Sequence, residues 1–357
     1  MNLLSITDRY IAKHILQALL MVLVVVVGLL GLVQFLEELE DVNDSYTRVL
    51  ALLVVISSLP SLAYQMLPLI VIVGTVLGLG NLASSSELTV IRAAGISTAR
   101  IMFSCVKPVL IIAIIAMAAS EFGIPQAQGI AKSLKIEALS KSGSYENQKG
   151  GWYKQGNEFI HISAVDGLGK IYGITRYLFD DENRLIAKIE SDSGVFGSNG
   201  AWHLRNNREI YLESDLVTKK TSTELNLRSD LDPELLMIML TSPNDLPITG
   251  LFEYSNYLLS EGVNVGPYQL AFWSKLFHPL ATISLVIMGA AFIFGSIRSV
   301  PIGQRILIGI LIGFSFRFLQ ELLAPASQVI GFSPLLAALA PIILTLIFAL
   351  FLFWRIR

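Results

Sequence analysis

The sequence predicts an α-helical membrane protein with six transmembrane helices, three on each side of an inserted antiparallel β-domain. Three observations predict it. Hydrophobic residues fill 53% of the 357 positions and charged residues only 15%, a balance that makes the bilayer the solvent for most of the chain. Charge is segregated, because long stretches carry none while the segment from about Lys132 to Glu261 holds much of the total. From Gly150 the continuous apolar runs give way to alternating short runs separated by turn clusters, the pattern of half-buried strands.

Leu16 to Phe35 is 20 residues without a formal charge, which at about 1.5 Å rise per residue matches a hydrocarbon core of about 30 Å. Glu37, Glu38, Glu40 and Asp41 follow it in place of a small-residue cleavage site, so the first helix reads as an uncleaved anchor. Val49 to Ser86 has no charge in 38 residues. That run exceeds one perpendicular crossing, so Pro60 and Pro68 kink it or part of it leaves the membrane. Ile101 to Ser120, interrupted only by Lys107, is the third helix. The fourth runs from about Gln269 to Phe294, the fifth from about Ile302 to Leu323 and the sixth from about Ser333 to Trp354.

An even count puts both ends on one side. That side carries Arg9, Lys13, Arg92, Arg100, Lys107, Arg298, Arg305, Arg355 and Arg357. The opposite short loops offer Arg48 beside five acidic residues between Glu37 and Asp44. By the positive-inside rule both termini are cytoplasmic and the insert lies outside, which in a bacterium is the periplasm.

Strands in the insert include Phe159 to Ile162, Lys170 to Ile174 and Glu209 to Leu212, with turns at Asp180 to Asn183, Ser198 to Gly200 and Ser214-Asp215. Short strands at this spacing fit an antiparallel β-sandwich or jelly roll. Pro125 to Leu139 reads as a helix leaving the membrane and Phe252 to Ser260 as a helix leading back. The resulting domains are 1–122, with a cytoplasmic helix at 84–97, then 123–266 and 267–357. A single cysteine, Cys105, allows no intrachain disulfide, so the exported domain relies on core packing.

No GxxxxGK[ST] phosphate loop, HExxH, GxSxG or paired-cysteine site occurs. Nucleotide, hydrolytic and metal chemistry therefore have no seat, and no cofactor is expected on this chain. A net charge of -2 without a basic and aromatic stripe argues against nucleic acid as a partner. Energy for uphill transport then enters from another chain or from an ion gradient. Ser84 to Gly95 joins the second and third spans on the cytoplasmic side. It opens with the Ser-x-x-Glu of a capping box and stops at glycine, so a short helix is expected. Either Ser84 and Glu87 simply cap a helix resting on headgroups, or the helix seats in a cytoplasmic ATPase through Ser84, Glu87, Leu88, Ile91 and Arg92.

Several runs, in order, resemble a known family: Asp8-Arg-Tyr-Ile11, Leu77-Gly-Leu-Gly80 leading into Ser-Glu-Leu-Thr-Val, Trp273-Ser-Lys275 with Pro279, Phe292-Ile-Phe-Gly295, and Arg298-Ser-Val-Pro-Ile-Gly303. Over its whole length the chain is similar to the permeases of the lipopolysaccharide-export ABC transporter, more to the G branch (LptG) than to its F paralogue (LptF). The resemblance implies a Gram-negative inner-membrane location and a heterodimer with the F permease on a dimeric cytoplasmic ATPase (LptB-type), which binds the ATP and Mg. It also implies a periplasmic jelly roll that hands lipopolysaccharide to a jelly-roll adaptor (LptC/LptA-type) in a bridge toward the outer membrane. In that family basic residues occur at the outer end of helix one and early in helix two. This chain has Gln34, Glu40, Asp41 and Ser61 there, so that role does not transfer to those positions.

Ionisable residues inside spanning helices are costly and are candidate functional sites. Arg317 lies in the fifth helix, and Lys275 with His278 in the fourth. Arginine suits phosphate because its planar fork donates two parallel bonds. Arg317, Lys275, His278 and Gln34 are thus the candidate lipopolysaccharide contacts, against the alternative that Arg317 pairs with Glu321, Glu37 or Glu38. Gly74 with Gly78, and Gly309 with Gly313, have GxxxG spacing for close helix contact. The first pair suits internal packing and the second a lateral gate against the partner permease. A permease that only transmits force to an outer partner, and an ion-coupled carrier, are the competing readings. The carrier expects midplane acids and internal repeats, and the sequence displays neither.

Overall fold

The computed structural model describes residues 6–142, 150–165, 169–197, 200–213, 216–228, 236, 242–260, 265–295 and 300–355. The expected turns at Ser198-Asn199 and Ser214-Asp215, and Arg298, lie outside the described residues. Contacts divide the chain into two compact units. One comprises Met1–Val33, Leu59–Ile124 and Pro247–Arg357, the other Gln34–Ser58 and Pro125–Leu246.

The long helices are α1 (Ile6–Glu38), α2 (Arg48–Ser84) and α4 (Thr98–Ser142), with the short α3 (Glu87–Ala93) between the last two. After the β-region come α5 (Ile248–Ser260), α6 (Gly266–Leu276), α7 (His278–Phe294), α8 (Ile302–Ile330) and α9 (Pro334–Arg355). Among the described residues α1, α2, α4, α8 and α9 are each long and apolar enough to cross a membrane. The pair α6 and α7, bent by 53° at Phe277, meets the same length and composition only when taken together, which brings the count to six if the pair is one broken span. The continuous fourth helix expected from sequence is therefore two, and Pro279 explains the break. It lacks an amide donor and its ring opposes the carbonyl four residues earlier, so it is tolerated only in the first turn of α7. Conversely, the third span and the helix expected at 125–139 are one uninterrupted helix, α4.

In the first unit the core is Ile11, Ile15 and Leu19 of α1, Ile70 to Val73, Val76 and Leu79 of α2, Ile101 and Cys105 of α4, and Leu285, Val286 and Ile293 of α7. In the second unit Asn43 builds the α1–α2 turn, its side-chain oxygen accepting from the amides of Ser45 (2.9 Å) and Tyr46 (2.8 Å). Lys135 of α4 neutralises the acidic stretch, reaching Glu38 at 2.7 Å and Asp41 at 2.8 Å.

Six antiparallel strands follow: β1 (Gly151–Gln155), β2 (Glu158–Val165), β3 (Ile171–Phe179), β4 (Leu185–Phe196), β5 (Ala201–Glu213) and β6 (Leu216–Arg228). They form one sheet in sequence order. The β-domain is thus the expected antiparallel insert. Its described strands pair in sequence order, because each short turn returns the chain beside the strand it left. β1 and β6 are the edges.

Candidate functional site

The segment after α2 departs from the expected capping box. Ser84 is still inside α2, its hydroxyl donating to the Asn81 carbonyl at 2.9 Å. Ser86 then takes a left-handed backbone, φ 65°, without a side-chain cap, and α3 begins only at Glu87. The glycine stop does form. Gly95 adopts φ 87°, its amide bonds the Arg92 carbonyl (3.0 Å) and the Ile96 amide reaches that of Ile91 (3.4 Å), the double bond of a Schellman turn. The helix is therefore Glu87–Ala93, shorter than the expected 84–97.

Leu88 is buried and Ile91 packs on the first unit's core, so both anchor α3 to its own chain. Thr89, Val90 and Arg92 face outward. Glu87 is held rather than idle: its carboxylate accepts from the hydroxyls of Tyr10 at 2.6 Å and Ser85 at 3.0 Å. The Tyr10 donor, then Ser85, hold the carboxyl below its usual range. Two residues upstream of Tyr10, the buried Asp8 accepts from the Ser104 hydroxyl at 2.7 Å and faces Arg100 at 3.8 Å and Lys107 at 4.0 Å. The Asp8-Arg-Tyr-Ile11 run is thus a brace between the start of α1, α4 and α3. The signal of this brace in the sequence is an acid, Asp8, at the head of an apolar helix.

The cations of the spanning helices separate into different settings. Arg317 of α8 has a side chain 37% exposed and donates to Glu321 at 2.8 Å. It also approaches the Gln65 carbonyl at 3.5 Å and the Met66 sulfur at 3.8 Å. Glu321 is thus the acid that pairs with it, while Glu38 is engaged by Lys135 and by the Tyr46 hydroxyl at 2.8 Å. Lys275 is buried, and His278 stacks on Tyr64 of α2 with ring centroids 4.3 Å apart. Both lie beside the α6–α7 break. Gln34 accepts from the Ser58 hydroxyl at 2.8 Å.

Both GxxxG pairs are used inside this chain. A β-carbon on Gly74 would lie 2.6 Å from Leu19, and one on Gly78 would lie 2.9 Å from Ile15. At Gly309 it would meet Val73 at 3.3 Å, and at Gly313 it would strike Leu69. Gly309 and Gly313 therefore seal α8 onto α2, and the exposed apolar residues of α8 left for a partner or for lipid include Leu307, Leu311, Phe314, Phe318 and Leu322.

The β-domain has a divided interior. Ile160, Ile162, Ile171, Ile174, Trp202, Leu204 and Leu227 make its apolar part. In β5 the buried set changes parity at Asn206 (φ 56°), and in β3 at Gly173 (φ 61°). Beyond that line the polar residues Arg176, Ser191, Asn207 and Glu209 are buried beside the apolar Ala187 and Ile189. Ser191 donates to Asn207 at 2.6 Å, and Glu209 accepts from Ser222 at 2.7 Å and Tyr211 at 2.8 Å. Arg176 makes a two-pronged pair with Glu158. The Ser222 hydroxyl, then that of Tyr211, hold the Glu209 carboxyl below its usual range.

Long apolar helices flank the β insert, and a short exposed helix joins the second and third spans. The family described as lipopolysaccharide export system permease LptF/LptG matches residues 9–355. The chain belongs to this permease family. It is 32% identical over 344 residues to the lipopolysaccharide export system permease protein LptG of Escherichia coli (strain K12), covering 94% of each chain. It is also 32% identical over 289 residues to the protein of that name from Haemophilus influenzae, covering 80% of each. As a member of the permease family it is an α-helical membrane protein with an inserted β-domain.

Proposed function

We propose that this chain is the G-type permease of an ATP-driven transporter that extracts lipopolysaccharide from the periplasmic leaflet of the Gram-negative inner membrane. The observation that carries the reading is α3, a short, well-terminated helix anchored by Leu88 and Ile91, with Glu87 and Arg92 at its exposed side. A helix without a catalytic group, presented between two spans, suits reception of force from a separate ATPase. Such a surface needs charge that a partner can complement. In this reading the F permease completes the membrane path, and an edge of the described β-sheet extends into a periplasmic β-bridge by strand addition. Arg317 offers the accessible guanidinium for the lipid A phosphates, since Lys275 and His278 are enclosed.

The polar interior part of the β-domain favours a second reading, in which this domain grips a periplasmic partner and lipid does not pass through it. Acyl chains would meet Arg176, Glu158 and Glu209, and burying apolar chains against ion pairs is unfavourable. Native mass spectrometry of the tagged chain purified from membranes separates these. The proposal expects a dimeric ATPase, a second permease and a bound glycolipid. An ATPase without glycolipid supports the force-only reading, and a chain without any ATPase contradicts both.

A further inference from the structure

Arg305 occupies an electrostatically awkward place. It lies in the first turn of α8, where a cation opposes the dipole of its own helix, and it is only 4% exposed. Its reason is found across the helix seam. The guanidinium Nη1 donates to the carbonyl of Gly80 in the closing turns of α2, the end of a helix that attracts a cation. Glycine at 80 is what admits it, because a β-carbon there would lie 2.9 Å from Nη1 and 3.1 Å from Cδ of Arg305.

From this joint the seam closes along its length. Gly309 meets Val73, and Gly313 meets Leu69 and Ile72. Arg317 then approaches the Gln65 carbonyl. Arg305 and Arg317 are about 18 Å apart along α8, taking about 1.5 Å per residue. Side-chain ridges that interlock over three turns have discrete packings, not a continuum of sliding ones. Gly80 is also one helical turn from Ser84, the last residue of α2, and α3 starts at Glu87.

We propose that Arg305, through the Gly80 carbonyl, fastens α8 to α2 so that the two helices move as one body with α3 at its end. Arg305 is then a positioning residue for transport. It acts through α2, and it carries displacement of α3 to the turn of α8 that holds Arg317. This rests on the reading of α3 as the segment that a cytoplasmic ATPase moves.

The test uses the full chain in its assembled transporter, reconstituted in vesicles, and reads lipopolysaccharide released per ATP hydrolysed. Gly80→Ala keeps the charge but displaces the guanidinium, and Arg305→Ala removes it. Both are expected to lower the ratio by about tenfold, a typical size for a lost coupling, in the fraction that assembles. Arg305→Lys keeps a donor and is expected within about threefold. A purely structural arginine would reduce yield and hydrolysis together and leave the ratio unchanged.

A disulfide gives an independent reading, since a β-carbon on Gly309 would be 3.8 Å from that of Val73, the separation a disulfide needs. In a Cys105→Ser background, Val73→Cys with Gly309→Cys is expected to keep the parent ratio after oxidation, because the seam does not open. An unchanged ratio in both Gly80→Ala and Arg305→Ala, or an oxidative block that reductant reverses, overturns the proposal. A parent that hydrolyses ATP without moving lipopolysaccharide overturns instead the reading of α3, and the proposal with it.

Discussion

The two ends of the α8–α2 seam carry the same residue type in opposite circumstances. Arg305 is 4% exposed and committed to a backbone carbonyl of the neighbouring helix. Arg317 has a side chain 37% exposed and leans on Glu321, one turn away in its own helix. A buried guanidinium cannot leave its acceptor without stranding a desolvated charge, so it is part of the architecture. An i, i+4 pair within one helix, not sealed by the chain's own packing, leaves its guanidinium open to exchange the carboxylate for another anion. Burial, more than residue identity, separates the fixed arginine from the available one.

The sharpest way to break this comparison is a buried arginine elsewhere. Arg176→Ala would leave Glu158 without its partner inside the β-domain, and a loss of about 3 kcal/mol is expected from an uncompensated buried charge. Thermal unfolding followed by tryptophan fluorescence reads it, and a negligible change would remove burial as the deciding variable. Next in size is Gly313→Leu, which forces a side chain against Leu69. Overpacking of that kind costs about 1–3 kcal/mol and lowers the melting temperature in detergent, whereas Gly303→Leu, in open space, is expected to leave it unmoved.

Arg317→Ala is expected to leave the chain assembled while clearly reducing photo-crosslinking of lipopolysaccharide to α8. Unchanged crosslinking would return Arg317 to a plain ion pair. The smallest effect concerns acid. The Glu209 carboxyl is held below its ordinary 4.5 by donors, so its contribution is complete above about pH 4.5 and is lost as pH falls through the lowered value. Glu209→Gln should therefore lower the neutral plateau of the melting temperature slightly and flatten its acid limb.

Much of this architecture was legible because its causes are local. Apolar runs of bilayer length give α1, α2, α4, α8 and α9, and the change to alternation at Gly150 marks the sheet. The glycine stop of α3 was readable at Gly95, since only a left-handed residue ends a helix in that way. The start of α3 was not, because Ser84 bonds back into α2 instead of forward to Glu87. Arg305 and Arg317 look alike in sequence, where a cation in an apolar run carries no sign of which neighbour receives it. Likewise the GxxxG spacing of Gly309 and Gly313 announces a close contact without naming α2 as its partner. Tyr10 and Asp8 act across 77 and 96 residues of sequence, beyond the reach of any local pattern.

Sidedness is the most direct measurement. Ser86→Cys, beside α3, and Glu182→Cys, in the exposed β3–β4 turn, are compared one at a time in intact cells with a membrane-impermeant thiol reagent, the buried Cys105 being shielded. The account predicts that the reagent, once past the outer membrane, modifies position 182 and reaches position 86 only after the inner membrane is opened. Modification of both positions in intact cells would contradict it.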